Sequence, residues 1–160
     1  IPFKVAGEHQ RMPEIVAAAP ENLQFLGHVG REHMGEFYKH ARAVVLCSTC
    51  FEGLPMAVIE SMLHCKPVIA FRIGALPEIV RDGKTGLLFS VGDAAELAER
   101  IAYLWKSPNV CEEMGRAART LGEAEYSPHR YYERLLAVYN KAINLQQSPS
   151  DEEDDGTSKS

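Results

Sequence analysis

Ala43-Val44-Val45-Leu46-Cys47 is followed, across a short break, by Phe51-Glu52-Gly53-Leu54-Pro55-Met56-Ala57-Val58-Ile59-Glu60. The first run is apolar throughout and reads as a buried strand of a parallel sheet. Pro55 then falls where a helix would begin, because its missing N–H and fixed φ suit the first helical position. From Pro55 to Leu63 the helix is apolar almost all round and carries one charge, Glu60. A carboxylate in such a helix is costly unless something pairs with it. Glu60 lies roughly 7–8 Å along the axis from Pro55, and its Cα–Cβ bond tilts back toward the helix mouth. Glu52, on the preceding loop, can face the same opening. Two carboxylates at a strand-to-helix corner, beside backbone N–H groups and a positive dipole end, suit a polyhydroxylated ligand carrying phosphate.

Working outward, strands are expected near 3–5, 22–26, 43–47, 67–71 and 86–89, with helices between them. That alternation predicts a parallel α/β sheet covered by helices on both faces. Arg11 to Ala19 reads as a helix with Met12, Ile15 and Val16 on one face. Glu32 to Ala41 reads as another, with Met34, Phe37 and Tyr38 as its buried side. His33 and His40 on it lack a third ligand and read as solvated. Ala6-Gly7-Glu8 is a plain βα turn, and no G-x-G-x-x-G follows a strand, so the dinucleotide fingerprint is absent. Leu23 to Leu26 closes in Gly27-His28-Val29-Gly30, and loops at strand ends are where ligands bind open α/β sheets. Pro77 starts a short helix, with Glu78 in the first turn that the dipole favours. Asp82-Gly83-Lys84-Thr85-Gly86 is a turn signal before Leu87-Leu88-Phe89. Asp93 with Glu96 forms a capping pattern for Ala94 to Trp105. Ser107-Pro108 and Ser127-Pro128 open two further helices, to about Leu121 and Leu145. On the last of these, Tyr131, Leu135, Val138 and Tyr139 make a stripe expected to pack as core.

Composition narrows the classes. Apolar residues make up 46% and charged residues 24% of the 160, as in an ordinary globular domain. The net charge of −5 gives no reason to expect nucleic acid as partner. No apolar run approaches the ~18 residues of a bilayer span, and no signal peptide is visible. Cys47 and Cys50 have CxxC spacing, but no second pair completes a zinc site, and the four cysteines read as buried free thiols of a reducing, cytoplasmic setting. Residues 146–160 turn acidic and lose their apolar content, so they read as a disordered tail after a folded stretch 1–145. A chain that opens on Ile1 is expected to be a piece of something longer.

The framed spacing E-G-L-P-M-A-V-I-E resembles the signature of retaining, nucleotide-sugar-dependent glycosyltransferases of the GT-B fold, family GT4 (glycosyl transferases group 1). Ser61-Met62-Leu63-His64-Cys65-Lys66-Pro67-Val68-Ile69-Ala70, Gly74-Ala75-Leu76-Pro77-Glu78-Ile79-Val80 and Asp82-Gly83-Lys84-Thr85-Gly86-Leu87-Leu88 resemble that family's "EAMACGxPVIA", "GGxPEIV" and "DGxTGLL" blocks, and the resemblance spans roughly residues 3–143. It implies a Rossmann-like domain, the C-terminal, donor-binding half of a GT-B enzyme that transfers a hexose from a UDP- or GDP-sugar. By resemblance Glu60 would bind the ribose hydroxyls. Glu52 would bind hydroxyls of the donor sugar and support positive charge developing on its ring. The backbone N–H groups of Gly53, Leu54 and Met56 would help hold phosphate and sugar. Gly27, His28 and Val29 would meet the nucleobase, largely through backbone groups, although the His28 side chain by itself reads as a surface histidine. Arg72 invites a phosphate role, but the family does not place its phosphate clamp there.

The resemblance implies no cofactor beyond the nucleotide-sugar co-substrate and no metal, and no Asp-x-Asp motif stands in the folded part. The family's "GRLxxxKG" segment and its acceptor-binding N-terminal domain are not among these residues. The acceptor, a glycan, lipid or small molecule, would bind through that domain, with peripheral membrane contact left open. Two other classes remain. One is a non-catalytic nucleotide-sugar-binding module, or a half-subunit completed by a partner chain. The other is a GT-B epimerase or phosphorylase, which should lack this glutamate pair with its P-E-I-V block.

Overall fold

The computed structural model describes residues 1–147. The chain divides into two compact units, 1–123 and from 124 onward. In the first unit the order is β1 (Phe3–Ala6), α1 (Pro13–Ala17), β2 (Leu23–Gly27), α2 (Arg31–His40), β3 (Val44–Leu46), α3 (Met56–Leu63), β4 (Val68–Phe71), α4 (Leu76–Ile79), β5 (Gly86–Phe89), α5 (Ala94–Lys106) and α6 (Pro108–Glu125), whose last turn crosses into the second unit. The second unit's described part is chiefly α7 (Pro128–Gln147).

All strand pairs are parallel, but they form two sheets rather than one. β1 pairs with β2, and β3, β4 and β5 pair in that order. Parallel neighbours joined through helices are the arrangement that alternating strand and helix patterns dictate. The fold class is therefore α/β and Rossmann-like, as read from the sequence.

β4 is the centre of the core. Val68, Ile69, Ala70 and Phe71 are all buried, and so are Gly86 to Phe89 on β5. Successive strand side chains point to opposite faces, so burial of every residue means both faces are covered. α3 and α5 supply that cover, with Val58, Ile59, Met62 and Leu104 buried. Gly86 has to be glycine, since a Cβ there would stand 2.2 Å from the Val68 carbonyl oxygen. β1, β2 and β3 have no fully buried residue.

Two helical expectations need correction. α1 is five residues, not nine, and none of them is buried; Ile15 is 57% exposed. Pro13 occupies its first turn and Pro20 pushes Ala19 out of helical geometry, so little is left between them. On α7, Tyr131, Val138 and Tyr139 are exposed, and Leu135 is half-buried. The period was read correctly, but a unit with one principal helix has no second layer of its own to bury the stripe. The cysteines are free, as expected, yet Cys47 and Cys50 are exposed, because β3 ends at Leu46 and both lie on the loop beyond it. The acidic tail expected over 146–160 lies almost wholly outside the described residues.

The α3–β4 corner stores strain. Cys65 has φ 57°, the left-handed region where a side chain costs about 1–2 kcal/mol. The segment that ends a helix this way usually uses glycine. Cys65→Gly should therefore raise stability by about 1 kcal/mol in urea denaturation. An unchanged or lower midpoint would show that the Cys65 side chain contributes more than the strain removes.

Candidate functional site

Gly27, His28 and Val29 lie at the carboxyl end of β2 and Glu52, Gly53 and Leu54 on the loop after β3, while Met56 opens α3 and Glu60 lies in its second turn. Gly27 ends β2 with φ 71°, after a register shift in the β1–β2 ladder between Val5 and Ala6. The Gly7 N–H then donates to the Gly27 carbonyl at 2.8 Å, tying the two strand ends together. His28 is exposed and Val29 half-buried just beyond.

The loop from Cys47 to Leu54 connects β3 to α3. Glu52, Gly53 and Leu54 are all exposed on it, and its internal hydrogen bonds are local: Cys50 N–H to Ser48 Oγ at 3.2 Å and Glu52 N–H to the Cys50 carbonyl at 3.1 Å. Phe51 is 80% exposed and its ring lies by Gly74, where an added Cβ would stand 3.4 Å from Phe51 Cδ1. The loop after β3 thus meets the loop after β4.

Pro55 is the N-cap of α3, not its first helical residue, with φ −69° and ψ 109°. Proline has no side-chain acceptor, and no side chain caps this helix. The Val58 N–H donates to the Pro55 carbonyl at 3.0 Å, and the amides ahead of it, Met56 included, are left to a ligand or to water. An uncapped helix start with its dipole's positive end outward is a place for an anion.

Glu60 is different in kind from Glu52. It is half-buried, and its Oε2 accepts a hydrogen bond from the Tyr38 hydroxyl at 3.1 Å. Tyr38 comes from α2 and is only 2% exposed. Burial first, and then the neighbouring Glu60 carboxylate, raise the Tyr38 pKa far above the ordinary phenol value. The phenol is therefore a permanent donor at physiological pH. The Tyr38 ring also lies 5.3 Å from the His64 ring at 33°, and His64 Nδ1 is 2.8 Å from the Glu60 carbonyl oxygen. The lone charge in an apolar helix thus has its partner, and it does not simply face solvent.

Tyr38 and His64 were not nominated from sequence. The signal was available, since a lone carboxylate in an apolar helix demands a donor and a buried tyrosine demands an acceptor. His9 was also missed. Its ring stacks 5.3 Å from Phe25 beside Gly27, and its Nδ1 is buried without a hydrogen-bond partner.

Arg72 is engaged elsewhere. Its Nη2 sits 2.9 Å from Asp82 Oδ2, while Asp82 Oδ1 accepts from the Leu88 N–H at 2.9 Å. The pair fastens the ends of β4 and β5. His33 and His40 stand exposed beside Glu32 and Glu36. Among the described residues no group of three or more His, Cys, Asp or Glu side chains could hold a metal ion. A cleft of about 280 Å³ lined by Arg42, Lys66, Cys111 and Glu112 lies toward the amino ends of β3 and β4, away from this corner.

The family of glycosyl transferases group 1 matches residues 6–121. The chain belongs to that family. It is 33% identical over 102 residues to a putative glycosyltransferase, EpsD, of Bacillus subtilis, covering 64% of this chain and 26% of the relative. It is 35% identical over 103 residues to the trehalose synthase of Pyrococcus horikoshii, covering 64% and 24%. The chain therefore spans about a quarter of the length of the curated relatives it matches. In fold it resembles HepE of Anabaena, solved with UDP, with TM-score 0.78, 21% identity, and coverage of 88% of this chain and 41% of that one. These likenesses agree with placement as the C-terminal domain of a GT-B glycosyltransferase.

The Asp82 contacts make a prediction at the rim of the site. Burial pulls the Asp82 carboxyl upward, but the Leu88 amide and the Arg72 guanidinium outweigh it and hold the carboxyl below its ordinary 3.8. A depressed carboxyl stabilises the fold above the unfolded value and loses that contribution as pH falls through the folded one. Stability should decline below about pH 4 in part through this group. Asp82→Asn should cost about 1 kcal/mol at pH 7, the exposure of the pair reducing its worth, and should flatten the acid limb of the profile. Unchanged stability at pH 7 and an unchanged acid limb in thermal melts would refute the assignment.

Proposed function

We propose that this chain is the donor-binding domain of a retaining glycosyltransferase that moves a hexose from a UDP- or GDP-sugar to an acceptor. What supports this most is an exposed carboxylate, Glu52, on the loop that leads into the uncapped start of α3, with a second, Glu60, held by Tyr38 further along the same helix. Glu60 accepts hydrogen bonds from the ribose hydroxyls. Glu52 takes the donor sugar's hydroxyls and offsets positive charge as the glycosidic bond to phosphate lengthens. The amides of Gly53, Leu54 and Met56 hold the sugar and the departing diphosphate, whose negative charge grows as the bond breaks. Gly27, His28 and Val29 line the base. On this reading no metal is required, because the leaving diphosphate is stabilised by amides and by cationic groups of the remaining protein.

The acceptor, a glycan, lipid or small molecule, binds a further domain in this reading, with the enzyme in the cytoplasm and any membrane contact peripheral. No helix among the described residues is long and apolar enough to cross a membrane. The half-buried state of β1, β2 and β3 is what a domain completed by further chain would show.

Glu60→Ala should weaken UDP or GDP and the matching nucleotide sugar alike, by roughly 10- to 150-fold, the range for a lost charge-assisted hydrogen bond. Glu52→Ala should spare the nucleotide and lower turnover. Equal effects of both changes on nucleotide diphosphate affinity would count against these roles. The 160-residue chain should bind donor weakly, toward millimolar Kd, and transfer nothing, since holding the acceptor in line supplies ~7–11 kcal/mol of the barrier. Transfer by this chain at the rate of the same residues joined to an acceptor domain would sink the half-enzyme reading.

A further inference from the structure

We propose that Tyr38 is a positioning residue for Glu60, and that discrimination for an intact ribose diol passes through its hydroxyl. The inference rests on the reading of Glu60 as the ribose acceptor and adds to it a residue on a different helix. A glutamate side chain has three rotatable bonds, and at a helix surface it spreads over several rotamers that ligand binding must freeze. Here one oxygen, Oε2, is already engaged by Tyr38 at 3.1 Å, which restrains the carboxylate and leaves the acceptor sites of Oε1 to a ligand hydroxyl. Tyr38 is itself held tightly. Its ring is buried in the core and lies 5.3 Å from the His64 ring, and the His64 ring is anchored 2.8 Å from the backbone oxygen of Glu60. Glu60, His64 and Tyr38 thus form a closed frame of two helices, in which carboxylate and phenol are both set by α3's own backbone.

A plainly structural tyrosine would use the same carboxylate only to satisfy its hydroxyl. The two accounts separate on ligand chemistry. Preorganisation acts only on ligands that use the carboxylate, because the saving is realised at the hydrogen bond that Glu60 makes. The removal of Tyr38's hydroxyl should therefore weaken a ribonucleotide and leave a nucleotide without the diol unaffected.

The experiment titrates the chain with UDP and 2′,3′-dideoxy-UDP, and with the corresponding GDP pair, by protein-observed NMR. Wild type, Tyr38→Phe, Glu60→Gln and the double variant are compared. Wild type should prefer the ribonucleotide by at least about tenfold for one of the bases. Tyr38→Phe should remove most of that preference through the ribonucleotide alone, with dideoxy affinity unchanged. In the Glu60→Gln background the tyrosine change should have no further effect. Should Glu60→Gln abolish the preference while Tyr38→Phe preserves it, Tyr38 is structural only and the ribose reading stands. No preference in wild type, or no binding of any of the four nucleotides, overturns both. A measurement on wild type covers the case in which Tyr38→Phe does not fold. The Tyr38 hydroxyl proton should stay protected from exchange with UDP bound, and its loss to solvent on UDP binding would overturn the proposal.

Discussion

Two contacts between backbone and backbone fix the geometry on which everything else depends. A Cβ at Gly115 would stand 2.0 Å from the Cys65 carbonyl oxygen, and one at Gly86 would stand 2.2 Å from that of Val68. Neither position tolerates a side chain without displacement of main chain. The first seats α6 directly on the corner where α3 ends. The second closes β5 onto the first residue of β4. Between them the start of β4 is held from two sides, and its four residues are buried completely. β3 then pairs along it in register from Val44↔Val68 to Leu46↔Ala70. Once the amino ends are pinned, the points where the chain leaves β3 and β4 are fixed as well.

The opposite end of the same strands is built on different terms. Phe51, Leu54 and Met56 are 80%, 42% and 53% exposed, close to one another in the chain. Large apolar side chains left open beside uncapped amides run against the rule that each local choice should support the fold. Such departures are affordable because the core around β4 over-determines the frame. Among the described residues, the loop that carries Glu52 is held by short-range hydrogen bonds of its own. Glu60, one helix further in, is fixed by the frame.

Much of this was legible in the residues. The apolar run at 43–47 and the proline at 55 place β3 and α3 to within about a residue, and the capping pair Asp93 and Glu96 opens α5 with Glu96 N–H on Asp93 Oδ1 at 2.8 Å. Where the reading failed, the cause was that period identifies a face without identifying its cover. The stripe of α7 is real, and Tyr131, Val138 and Tyr139 remain exposed on it. The split into two sheets was not legible either, since strand patterns carry no information on which strands are neighbours. Cys65 stands where the family block has glycine, so its left-handed φ could be inferred from that alignment but not from cysteine itself. Of the candidate site, the loop after β3 that carries Glu52 and the helix that carries Glu60 were legible from spacing. Tyr38 was seen only as an apolar wall, because its ring pattern conceals the hydroxyl at the end of it.

That hydroxyl explains how the chain tolerates a charge in α3. Withdrawing a carboxylate from water is unfavourable unless its lone pairs are satisfied, and a carboxylate has about four acceptor sites. Tyr38 supplies one donor to Oε2, and the permanent protonation of a buried phenol keeps that donor in place. An apolar residue at this position would need no donor at all, so stability alone gives no reason for the charge. On the reading proposed above, the acceptor capacity that Tyr38 leaves on Glu60 is taken by the ribose hydroxyls.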